Sequence, residues 1–133
     1  MKVTIYGKLD LLFLDGHNWL VQNIDNRFYA VVNMLTIIKI PDGFITDFAS
    51  IPRTFWNILP PCGDGPHAQY GPPAIFHDYL YKTHMADGKE VSRKFADDVL
   101  FAGMEFEKVE TWKKWTIYCA VRTFGGIPWN KKK

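Results

Sequence analysis

Pro72-Pro73-Ala74-Ile75-Phe76-His77-Asp78-Tyr79-Leu80-Tyr81 is the stretch on which the fold turns, because it opens a helix and carries an adjacent His-Asp pair inside it. Proline is favoured in the first helical turn, where its missing N–H would have no partner anyway. Pro72 and Pro73 therefore predict a helix running to about Thr83. At 3.6 residues per turn His77 shares a face with Ala74 and Tyr81, while Asp78 projects about 100° away, toward Lys82. One member of the pair can face a substrate while the other points at a bound ion or back into the protein. A lone His-Asp dipeptide is common, so its weight rests on its surroundings.

Upstream, residues 3 to 48 are dominated by β-branched and aromatic residues. Val3-Ile5, Leu11-Leu14, Trp19-Ile24, Phe28-Val32 and Leu35-Ile40 are short apolar segments separated by Asp15-Gly16, Asp25-Asn26 and Asn33. Asp15-Gly16-His17-Asn18 reads as a hairpin turn and Pro41-Asp42-Gly43 as a type I or II turn. The stretch from Gly43 to Arg53 leads from sheet to helix, with Asp47 or Ser50 as a cap and Pro52 near a first turn. A short helix through Phe55, Trp56 and Leu59 is expected to follow. Asp47 and Arg53 lie on the path to a central site, yet equally suit a capped, ion-paired corner, the commoner use of these residues. From Pro60 to Gly71, three prolines and three glycines exclude regular structure. The glycines of this loop, Gly63 and Gly65 among them, would let backbone groups approach an ion, and a stiffened surface connection fits as well.

Downstream, Ala86-Asp87-Gly88 ends one element and Lys89-Glu90-Val91-Ser92 begins another. Val91, Phe95, Ala96, Val99, Leu100 and Gly103 recur at helical spacing as a buried stripe, with Asp97 and Asp98 at its edges. A further helix runs from about Glu110 to Phe124 and stops at Gly125-Gly126. Its aromatic stripe, with Trp112 and Trp115, is expected in the core. The fold class is therefore α+β: a small N-terminal antiparallel sheet packed with three to four C-terminal helices. Residues 1–48 are β-rich, 49–126 helical and 127–133 a tail, all within a single domain 1–133. The short Met85-Gly88 connection should turn the His77 helix back against the Asp97 helix.

At 133 residues the chain can bury a core without staples, and two cysteines, Cys62 and Cys119, make no disulfide framework and no thiolate zinc site. No apolar run is long enough to span a bilayer, and the first residues lack a signal peptide's apolar core. A net charge of +2 argues against bulk affinity for nucleic acid, the three terminal lysines being a solvated end.

Residues 40 to 126 resemble a group of small phage and prophage proteins that share a domain of unknown function. The motifs that carry the likeness are Pro41-Asp42-Gly43-Phe44, Thr46-Asp47-Phe48-Ala49-Ser50-Ile51-Pro52-Arg53, His77-Asp78-Tyr79-Leu80-Tyr81, and Ser92-Arg93 with Ala96-Asp97. The resemblance implies a phage or prophage source and brings no settled activity. More distantly, His77-Asp78-x-x-Tyr81 followed by Ser92-Arg93 and an aspartate looks like the two-helix active site of secreted phospholipases. That likeness implies His77 as general base, Asp97 or Asp98 as the carboxylate that orients it, and Tyr81 as support. It also implies Asp78 as a Ca²⁺ ligand and Gly63-Asp64-Gly65 as the loop that completes the calcium site. The flanking cysteines of those enzymes are missing here, and the preceding sheet has no counterpart in them.

Two functions from different classes follow as expectations. One is a calcium-assisted lipid or ester hydrolase acting at the host envelope, with His77, Asp97, Asp98 and Tyr81 as catalytic candidates, Asp78, Gly63 and Gly65 as metal candidates, and Asp47, Arg53 and Arg93 nearby. Its partner would be a membrane lipid. The other is a non-catalytic phage accessory protein, a virion or tail component or an inhibitor of host defence, whose partner is a host or virion protein. Synthesis in the host bacterial cytoplasm, with association to the virion, is the location that goes with either.

Overall fold

The computed structural model describes residues 1–16, 18–47 and 71–130. The first half contributes strands β1 (Val3–Tyr6), β2 (Asp10–Asp15), β3 (Asn18–Gln22), β4 (Tyr29–Val32), β5 (Thr36–Lys39) and β6 (Ile45–Thr46). The second half contributes helix α1 (Gly71–Thr83), a ribbon of β7 (Met85–Ala86) and β8 (Lys89–Glu90), and helices α2 (Arg93–Phe106), α3 (Thr111–Phe124) and α4 (Gly126–Trp129). The architecture is α+β, as the sequence implies.

Strands β1 to β6 make two sheets where one is expected. β1, β4 and β5 pair antiparallel in the order β1-β4-β5, and β2, β3 and β6 in the order β2-β3-β6. Asn23 explains part of the break between them. Its buried side-chain amide donates to the carbonyls of Phe28 (3.0 Å) and Ile40 (2.6 Å), while its Oδ1 accepts from the Phe28 N–H (3.0 Å). The chain therefore leaves β3 at Gln22 instead of continuing to Ile24, since a polar group buried here must be bonded and the backbone of two other segments supplies the partners. The expected turn at Pro41-Asp42-Gly43 is present: the Phe44 N–H donates to the Pro41 carbonyl at 3.1 Å, and Gly43 has φ +86°, as a type II turn requires at that position.

One face of the first sheet presents Val3, Ala30, Val32 and Ile38 to the core, the period-two pattern of a half-buried sheet. Phe28, which leads into β4, stacks on Phe76 of α1 with ring centroids 4.8 Å apart. From the second sheet's side, Phe44 meets Tyr79 edge-on at 5.5 Å. Both sheets thus grip α1, so its position depends on the strands.

Ser92 caps α2, its hydroxyl accepting from the Phe95 N–H at 3.0 Å. A Cβ at Gly103 would stand 3.0 Å from the Cβ of Pro73, so glycine lets the end of α2 approach the start of α1. The end of α1 instead meets Asp97, early in α2. The two helices therefore run antiparallel, joined by the β7-β8 ribbon, whose turn residues Asp87 and Gly88 have φ of 52° and 76°.

Two expectations need correction. Trp112 and Trp115 are 56% and 52% exposed, not core: Ile117, Ala120 and Val121 form the buried face of α3. Nor do Ile127, Pro128 and Trp129 belong to a tail. They form α4, and Trp129 stacks on His84 (centroids 3.5 Å apart, 8° between planes) and meets Tyr81 edge-on at 5.2 Å.

Candidate functional site

Asp97 lies at the meeting point of α1, α2 and α3, with its side chain and that of His77 fully buried. Its Oδ1 sits 2.7 Å from His77 Nε2 and accepts the Tyr81 hydroxyl at 2.6 Å. Its Oδ2 accepts from Arg122 Nη1 at 2.8 Å, and Arg93 Nη1 stands 3.6 Å from the same oxygen. Helical spacing builds half of this arrangement: His77 and Tyr81 are four residues apart on α1, as are Arg93 and Asp97 on α2, so each pair shares a face. Arg93 also donates to the carbonyls of Val121 (3.0 Å) and Arg122 (3.4 Å), neutralising the C-terminal end of α3.

Burial alone would raise the Asp97 carboxyl, but the hydrogen bonds from His77, Tyr81 and Arg122 hold it below the usual range. An ionised carboxylate is an acceptor only, so His77 Nε2 must carry the hydrogen and the ring's tautomer is set. Burial and the contact with Asp97 push the Tyr81 phenol above its ordinary range, which keeps it a neutral donor.

Asp78 points the other way, as expected from the helical turn. Its Oδ2 accepts from Thr46 Oγ1 of β6 at 2.5 Å and faces Lys82 Nζ at 3.3 Å. Burial raises its carboxyl above the ordinary 3.8, a shift that the Lys82 charge and the Thr46 bond reduce without cancelling. For an acid with a raised folded pKa the sign is fixed: the ionised form weakens the fold, and stability is lost as pH rises from the unfolded value through the folded one. Asp78→Asn is therefore expected to melt at or above the wild-type temperature at neutral pH, by up to about 1 kcal/mol, with the advantage vanishing on acidification. Thermal melts at the two pH values check this; a clear loss at neutral pH would mean that the Lys82 pair outweighs the cost of burial.

Of the residues singled out from sequence, His77, Tyr81, Asp97 and Arg93 come together around one carboxylate. Asp98 does not join them. Partly exposed, it accepts from Lys94 at 2.8 Å and Tyr118 at 2.7 Å. Asp47 is drawn to the Asp78 side, 3.9 Å from Lys82. Arg53, Gly63 and Gly65 lie outside the described residues. Among the described residues, no three His, Cys, Asp or Glu side chains gather as a metal-binding group.

Arg122, Lys82, Thr46 and Gly125 carry much of the site and were not singled out from the sequence. An arginine one turn from the end of an otherwise apolar helical face was the available sign for Arg122. In the sequence Gly125 marks a helix stop. Its φ of −70° is open to any residue, so the reason for glycine is space: a Cβ would fall onto the Tyr81 hydroxyl and the Val121 carbonyl, and within 3.1 Å of Arg93 Nη1. Gly125→Ala should therefore displace Tyr81 from Asp97 and destabilise the protein by about 1–3 kcal/mol. A melting temperature unchanged from wild type would contradict the close approach.

Residues 19–121 match the family model described as "Protein of unknown function (DUF1353)", and the chain belongs to that family. It is similar to the Uncharacterized protein y4jT of Sinorhizobium fredii (strain NBRC 101917 / NGR234), 34% identical over 87 residues, which cover 65% of this chain and 23% of that protein. The match thus spans about a quarter of the relative's length. No solved structure matches the chain. No helix among the described residues is long and apolar enough to cross a membrane.

Proposed function

We propose that the protein hydrolyses ester bonds, phospholipid esters included, with His77 as general base. The observation that carries this is the Asp97 Oδ1 contact with His77 Nε2 at 2.7 Å, supported on the same oxygen by Tyr81 from the next turn of the histidine's own helix. Water adds to the ester carbonyl carbon as its proton passes to the imidazole. Asp97 stabilises the imidazolium. The tetrahedral intermediate then collapses, the carbon–oxygen bond breaks, and the proton returns to the departing alkoxide. Arg122 and Arg93 keep Asp97 ionised throughout and so sustain the tautomer.

Calcium at Asp78 enters no step of this scheme. Asp78 and Asp47 both turn to the Lys82 ammonium, which stands 3.3 Å from Asp78. A divalent ion placed there would meet a positive charge.

The complete burial of His77 favours a second reading, in which the network only pins three helices together and the protein is a phage accessory component that binds a host or virion protein. The exposed Trp112 and Trp115 on α3 suit such a surface. Hydrolysis of mixed phospholipid micelles and of a chromogenic ester by purified wild type, against a His77→Asn control, decides between them. Equal rates would end the hydrolase reading.

A further inference from the structure

Lys82 belongs to the last turn of α1, and its ammonium is surrounded by groups that select a small, hard cation. It stands 3.3 Å from Asp78 Oδ2, 3.2 Å from the carbonyl oxygen of Ile45, 3.9 Å from Asp47 Oδ1 and 5.5 Å from the Phe44 ring centroid. Asp78 is almost completely buried, so its charge cannot be balanced by water and needs a cation held by the protein. Thr46 fixes the same Asp78 oxygen from β6, and the flanking Ile45 supplies the carbonyl, so strand and helix together shape the surroundings of the ammonium. Lysine suits this use: a compact, strongly hydrated charge with three donors on a flexible stem. Asp78 and Ile45 account for two of its N–H groups, and the third can turn toward the Asp47 carboxylate.

We infer that Lys82 is the fixed cation beside Asp78: its ammonium fills the position that a divalent ion would take there, so the residues present do not accept calcium. Calcium titrated into chelator-treated protein, followed by calorimetry, tests this. Wild type is expected to give no heat that depends on Asp78. Lys82→Met removes the charge, keeps an apolar stem of similar length, and should bind calcium in the micromolar to millimolar range of an oxygen site with few charged ligands. Lys82→Met combined with Asp78→Asn should lose that heat again. Melting curves establish that each variant is folded, and Lys82→Arg, which keeps the charge, should behave as wild type.

Wild-type calcium binding that Asp78→Asn abolishes would overturn the inference, as would a folded Lys82→Met protein that binds none.

Discussion

Asp97→Ala is expected to lower the melting temperature by roughly 10–20 °C, the largest stability effect of any single substitution discussed here. The carboxylate has His77 and Tyr81 on one oxygen and Arg122 on the other, with Arg93 close by. Deleting it strands two guanidinium groups and a buried imidazole, and removing one partner of a buried charged pair costs about 3–5 kcal/mol. Arg122 and Arg93 are partly exposed and recover some hydration, which places the outcome toward the lower end. A pH series adds a signature that cavity formation would not. The folded pKa of Asp97 is depressed, so its contribution is fully present above the ordinary 3.8 and is lost as pH falls through the lower folded value. Asp97→Asn should therefore lose part of wild type's acid sensitivity along with its stability. Circular-dichroism melts from neutral to acid pH measure both. A loss below about 1 kcal/mol at neutral pH would show that the network holds little of the fold.

His77→Asn should reduce ester or phospholipid hydrolysis by about 10²–10⁴-fold, the range that a positioned general base supplies. Asparagine keeps one hydrogen bond toward Asp97 at similar size but takes no proton near neutral pH. The accompanying loss of stability is about 1–3 kcal/mol, which a purely structural histidine would share, so melting data do not discriminate and the rate must be measured. Tyr81 touches the same Asp97 oxygen, and burial with that contact keeps its phenol above the ordinary range.

Much of this site is legible in the chain because helices convert sequence spacing directly into geometry. The interval between His77 and Tyr81 places both on one face. The stripe through Phe95, Ala96, Val99 and Leu100 orients α2, and a short connection brings it back. The choice between Asp97 and Asp98 is not resolved by spacing, since both lie at the edge of that stripe; the partner across the gap decides, and Asp98 is taken up by Lys94 and Tyr118. The strands are less legible. Leu11-Leu12-Phe13-Leu14 is apolar on both faces, so alternation does not announce which face is buried or which strand pairs with it, and Leu12, Phe13 and Leu14 are in fact 43–53% exposed. Pairing β3 with β6 depends on contacts some two dozen residues apart, as between Trp19 and Thr46. Trp112 and Trp115 illustrate the limit of composition: a large aromatic is apolar enough for a core, but only the position of the neighbouring helix determines whether it enters one.

Because the partners of Asp97 come from three helices, the site also has an order of assembly. During synthesis α1 and α2 leave the ribosome before α3, so the nascent chain presents His77, Tyr81, Arg93 and Asp97 while Arg122 is still to come. Until then the carboxylate lacks its shortest charged hydrogen bond and α3 cannot seal it from water. The contact between His77 and Asp97 can form as soon as α1 and α2 pair, but the carboxylate gains Arg122 and its cover only once the last of the three helices has docked.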